Sequence, residues 1–159
     1  METGMTVEVD DREFQARFEN IWRQLKPGAQ SAGLMRAIGY YMRRRTLQHF
    51  REESDPEDKA WRPLKESTVA GRRTGPRAKR RGGARKLAIL QDTGAGRRSI
   101  TSLSDATSAE IGTNVHYMAF HQEGAPRANI PIRAFLGVAD EDAAGIENLA
   151  WDYLVRVTG

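Results

Sequence analysis

Two histidines, His116 and His121, stand five residues apart in the stretch 111–138, with Glu123 close behind. Zinc binding on a helix calls for histidines four apart, because i and i+4 share a face, and for a third ligand elsewhere. A spacing of five turns the second ring away from the first. The chain has no cysteine, so no thiolate completes a ligand set. The residues themselves favour one histidine satisfying local backbone and the other at an interface. A hydrolytic triad would draw on Ser99 or Ser67 with His121 and Asp92, yet no serine sits in a G-x-S-x-G elbow. Gly71-x-x-x-Gly75 lacks the Gly-Lys-Ser/Thr ending of a phosphate loop. Gly94-x-Gly96 lacks the third glycine of a dinucleotide turn. These residues predict no catalytic residue, no metal and no cofactor.

A different chemistry lies in residues 71–86. Arg72, Arg73, Arg77, Lys79, Arg80, Arg81, Arg85 and Lys86 are eight cations with no acid among them. Such a run contacts phosphate backbones in a salt-dependent way. Aromatic residues are not interleaved with it, so bases find no stacking platform. Two readings stay open: a solvated loop that orders in an assembly, or a non-specific contact with nucleic acid or an acidic protein surface. The cations also explain the charge. The 159-residue chain carries +4, from 25 basic and 21 acidic residues, and without these eight the basic count drops to 17. The basic character belongs to one segment.

The phrase Ile130-Pro131-Ile132-Arg133-Ala134-Phe135-Leu136-Gly137 carries no nucleophile and no acid–base pair. Proline enforces an extended start and removes a donor. Phe135 and Leu136 can anchor a strand at the edge of a sheet.

Several elements must position these residues. Over residues 10–25, Phe14, Phe18, Ile21, Trp22 and Leu25 mark one helical face, and Lys26-Pro27-Gly28 ends it. A second helix is predicted over 31–52, with Ser31 as its cap. Arg43, Arg44 and Arg45 interrupt its apolar face as a solvated shoulder or subunit contact. Ser67 or Thr68 starts a short helical turn. Residues 71–84, rich in Gly, Pro and Arg, read as a mobile basic loop. Strands are expected at 87–90, 98–103, 109–112 and 133–138, with turns at Asp92-Thr93-Gly94 and Ser104-Asp105. A last helix runs from Asp140 to about Val157, with acids in its first turn. The fold class is α+β in one domain: helices packed on a small, mainly antiparallel sheet, with a long basic loop.

Composition sets outer limits. At 39% apolar and 29% charged, the chain can bury a core and still carry exposed segments. Absence of cysteine suits folding in a reducing cytosol. No apolar run reaches the ~18 residues of a membrane span, and the acidic start is unlike a signal peptide. A soluble protein, with no membrane partner, is expected.

The order of short motifs resembles the phage virion morphogenesis family, the tail completion proteins of Mu-like and P2-like tailed phages. The carrying residues are Trp61-x-Pro63-Leu64 with Ser67-Thr68, then Leu90-Gln91-Asp92-Thr93-Gly94 and Ser99-Ile100. Next come Gly112-Thr113-Asn114-Val115-x-Tyr117, His121-Gln122-x-Gly124, and Ile130-Pro131-x-Arg133-x-Phe135-Leu136-Gly137, closed by Tyr153-Leu154. The resemblance covers about residues 31–157. One departure is Ala95-Gly96, where an apolar residue is usual, which predicts a looser strand start. The resemblance implies structural work without catalytic residues. It implies rings of this chain, hexameric to match tail symmetry, at the tail's head-proximal end or the head–tail junction. Assembly would take place in the host cytoplasm, beside neighbouring tail or head-connector proteins. On that reading Tyr117, His121 and Phe135 hold strands and neighbours, and the basic segment faces DNA in the lumen or grips an adjacent ring.

Overall fold

The computed structural model describes residues 12–25, 28–80 and 87–159. Three long helices form one half of the molecule: α1 (Arg12–Gln24), α2 (Ala29–Glu52) and, at the other end of the chain, the closing helix Asp140–Thr158. Phe14, Phe18 and Trp22 follow the helical period and stack in series along α1, with centroids 5.8 and 6.2 Å apart. Ile21 and Leu25 extend that face into a core with Leu34, Met35, Ile38 and Met42 of α2 and Ile146, Ala150 and Leu154 of the closing helix. Close approach depends on glycines opposite tyrosines. A Cβ at Gly33 would strike the Tyr153 ring, and one at Gly145 would strike Tyr41. Arg17 ties α1 to the closing helix through Glu147 at 2.7 Å.

The middle of the chain builds the other half. It comprises α3 (Glu66–Thr74), α4 (Pro76–Arg80), α5 (Ala95–Arg98), β1 (Thr101–Ser104), β2 (Ala109–Gly112) and α6 (Tyr117–Glu123). A 3-10 turn at Pro126–Ala128 follows, and the closing helix becomes α7. β1 and β2 form an antiparallel hairpin pairing Thr101 with Gly112 and Ser104 with Ala109. Asp105 makes its turn: one carboxylate oxygen accepts the Thr107 and Ser108 N–H groups, which draws its pKa down to about 2. The hairpin lies across α2, where Gly39 meets Ser102 and Ala109. The C-terminal turn of α2 carries Phe50 into a second core with Trp61, Ile89, Ile100, Met118, Phe135 and Leu136. One helix therefore serves both cores.

The α+β architecture, with helices around a small antiparallel sheet, agrees with the sequence. Several details differ from it. α2 begins two residues before Ser31, whose hydroxyl accepts from the Gly28 N–H at 3.1 Å from inside the first turn. Residues 71–74 and 76–80 are helical, in α3 and α4 with Gly75 extended between them, where a loop was expected. Residues 87–90 form turns, with Leu90 at φ 57, and 95–98 form a helical turn ahead of β1. Residues 133–138 join no sheet. Arg43 and Arg45 are not a solvated shoulder. Arg43 donates to the Ile100 carbonyl at 2.9 Å, and Arg45 pairs with Asp142 at 2.5 Å. Only Arg44 of the three is exposed. Among the described residues no helix is long and apolar enough to cross a membrane.

Candidate functional site

Several motif residues meet around the segment 131–138, which is neither helix nor strand. Because this segment has no sheet neighbour, side chains satisfy its backbone. Gln122 on α6 acts as a surrogate strand. Its Oε1 accepts the N–H groups of Phe135 (2.9 Å) and Leu136 (3.0 Å), and its Nε2 donates to the Leu136 carbonyl (2.6 Å). From the other side Trp61 Nε1 donates to the Ala134 carbonyl at 2.7 Å. The Arg133 N–H donates to the His121 carbonyl at 2.7 Å. The Arg133 guanidinium turns back, donating from Nε to the Arg62 carbonyl (2.9 Å) and from Nη2 to the Pro63 carbonyl (3.2 Å). Burial, with the charges of Arg62 and Arg72, pushes the Arg133 pKa down.

This bracing aims Phe135 inward. Its ring is fully buried, 5.3 Å from Phe50, and Phe50 meets Trp61 edge-on at 5.6 Å. Leu136 is buried beside it, and Leu64 packs at the margin. Pro63 is exposed and Pro131 half-buried. Gln91 extends the network by donating to the Phe50 carbonyl at 2.5 Å. Thr93 is exposed, and its hydroxyl accepts the Ala95 N–H at 3.2 Å. Gly94, at φ 72, starts α5 in a conformation costly for other residues. Gly96 is buried where a Cβ would collide with Met118, so the Met118 side chain packs directly on the α5 backbone.

The outer face of the same region is apolar. Tyr117 and Phe120 on α6 are 40% and 49% exposed, and Ile132 is 65% exposed. Tyr117, Phe120 and Gly124 fall on one helical face. Ile132 lies over Gly124, which takes φ 80, so the three side chains lie along one side. His116 is exposed there too, its ring 6.1 Å from Tyr117 and 6.5 Å from Phe120.

Ser99 and Asp92 are held by other partners. The Ser99 hydroxyl lies 2.7 Å from the Gly96 carbonyl and 2.5 Å from the Thr113 hydroxyl. Asp92 faces Arg72 at 3.8 Å. His121 packs near Arg133, and its Nδ1 has no partner among the described residues. Among those residues no group of three His, Asp or Glu side chains could hold a metal.

The histidines do predict a pH dependence. Burial holds His49 and His121 below the ordinary value of 6.5, and the charge of Arg133 acts the same way on His121. The unfolded chain therefore takes up protons before the folded one does. Stability contributed by the neutral rings is complete above about pH 6.5 and is lost as pH falls below it. Urea midpoints should decline from pH 7 to pH 5, and His121→Asn should flatten part of that slope. A profile unchanged by the substitution would remove His121 from the account.

The basic segment divides by role. Arg72 is half-buried and donates to the Ala88 carbonyl at 2.9 Å, so it is partly structural. Arg73 and Lys79 are exposed. Arg77 and Arg80 belong to α4. Arg81, Arg85 and Lys86 lie outside the described residues.

Sequence reasoning did not single out Gln122 as a site residue. Its signal was the helical period, since 118 and 122 share a face of α6 and a glutamine beside buried Met118 must find partners inside. No curated protein and no solved structure matches the chain. A family model described as the phage virion morphogenesis family matches residues 9–155, nearly the whole length, and the chain belongs to that family.

Proposed function

We propose that this protein is a tail-completion or neck component of a tailed phage, and that it works by assembling into a ring. Membership of the family supports a structural or assembly role in the virion. The finer reading rests on how the motif residues are used. Gln122, Trp61 and Arg133 brace the 131–138 segment, while Tyr117, Phe120 and Ile132 remain exposed beside it. Clustered exposed apolar side chains mark contact surfaces. Trp151 and Val155, one turn apart on α7 and 43% and 67% exposed, offer a second such surface.

The ring would be hexameric and would contact neighbouring tail or head-connector proteins. A non-specific nucleic-acid contact is the alternative use of the exposed cations Arg73 and Lys79. Sedimentation of the full chain, alone and with purified tails, tests the proposal. The expected result is a species several times the monomer mass, lost on Tyr117→Ser/Ile132→Asp with melting shifted by only a few degrees, because both sites are exposed. A chain that stays monomeric in both settings would overturn it.

A further inference from the structure

A cleft of about 430 Å3 opens where the end of α2, the 54–60 turn and the start of α7 meet. Its walls include Arg45, Gln48, Glu52, Ser54, Asp58 and Glu141. Arg45 is already occupied by Asp142 and Glu141. Among the described residues Glu52 and Asp58 form no ion pair. The cleft therefore holds uncompensated negative charge.

A second observation concerns Ser54. It is 6% exposed, it lines the cleft, and its hydroxyl has no hydrogen-bond partner among the described residues. Buried hydroxyls are rarely left unmet. An entering guanidinium or ammonium supplies donors alone, so it could satisfy Ser54 and both carboxylates together. Among the described residues no group of carboxylates there is placed to hold a metal ion.

The same chain carries matching cations elsewhere. α3 buries none of its residues, and Arg73 on α3 and Lys79 on α4 are exposed. With only Val69 and Arg72 even partly covered, the rest of α3 presents an open face. We propose that the cleft receives Arg73 or Lys79 from a second copy of this chain. Donor and acceptor are different surfaces of one molecule, so the contact is head-to-tail, the kind that closes rings. This inference rests on the ring reading and names its polar contact.

Sedimentation velocity of the full chain at low salt tests it with three variants. Glu52→Lys/Asp58→Asn alters the cleft; asparagine suits position 58, which sits at φ 61. Arg73→Glu/Lys79→Glu alters the donor. The third variant combines all four changes. All four side chains are exposed, and thermal melts confirm folding. Each pair alone should raise the dissociation constant of assembly about ten-fold or more, and the combination should restore most of it. Added salt should weaken wild-type assembly. If the wild type assembles and the paired variants assemble equally well, the cleft contact is wrong and the ring stands. If the pairs weaken assembly and the combination fails to recover it, the cleft and these cations are not partners. If the donor variant loses only affinity for duplex DNA, the cations serve nucleic acid and the inference falls. A wild type that never assembles overturns the ring reading and this contact with it.

Discussion

Phe135→Ala should lower stability by about 3–5 kcal/mol, the range for truncating a fully buried phenylalanine. The site cannot collapse easily, because both flanks of the residue are fixed. The Phe135 N–H is held by Gln122, and the neighbouring Ala134 carbonyl is held by Trp61. The cavity would face the core it shares with Phe50 of α2, Ile100 ahead of β1 and Met118 of α6. At about 2–4 °C per kcal/mol for a chain of this size, the melting temperature should drop by roughly 10 °C. Phe135→Leu keeps most of the volume and should cost far less, about 1.5 kcal/mol or below. Ile132→Ala, three residues away on the outer face, should change stability by about 0.5 kcal/mol at most while affecting assembly. Calorimetric melts of the three variants check the ordering. Equal losses for Phe135→Ala and Ile132→Ala would mean that the segment is not anchored as described.

The contrast between Phe135 and Ile132 shows what periodicity can and cannot tell. In helices the signal was direct. The apolar faces of α1, α2 and α7 place their boundaries within two residues of those expected, since burial of one stripe decides both. β2 and its Asp105 turn were equally legible, because a hairpin is a local structure. Residues 133–138 carry the pattern of a strand without joining the sheet. Burial alternates at Arg133, Ala134 and Phe135, as along a strand. The partner is a glutamine side chain more than ten residues away, and no local pattern encodes that. The same holds for the arginines. A run of Arg43, Arg44 and Arg45 looks solvated until α7 brings Asp142 to Arg45 and the chain ahead of β1 brings the Ile100 carbonyl to Arg43. Residues 71–80 have the low apolar content of a loop, yet most of them are helical. α3 and α4 pack on each other, Ala78 is buried, and Arg72 reaches the Ala88 carbonyl. Around 131–138, the division between inward bracing and outward apolar face required three dimensions.

The second large effect should come from Asp142→Ala, at about 3–5 kcal/mol, the usual result of removing one partner from a buried ion pair. Asp142 is fully buried and its two oxygens do separate work. Oδ1 accepts from Arg45 Nε at 2.5 Å, and Oδ2 accepts the Ala139 N–H at 3.3 Å at the start of α7. Alanine would free an N–H at the helix start and leave Arg45 with Glu141, which is 71% exposed and 3.2 Å away. Asp142→Asn keeps one oxygen for the helix-start N–H but loses the charge and the acceptor that Arg45 uses, so it should fall between alanine and wild type. The pair itself need not be stabilising, since both charges were taken out of water to form it. Arg45→Met/Asp142→Leu should therefore cost less than Asp142→Ala alone, and denaturant midpoints of the set measure the coupling. Strictly additive losses would show that Arg45 and Asp142 act independently. Because Arg45 also forms a wall of the acidic cleft, the double variant has a second consequence. It leaves Glu141 without its cation, so the cleft becomes more negative, and head-to-tail assembly should hold or strengthen even as the fold weakens.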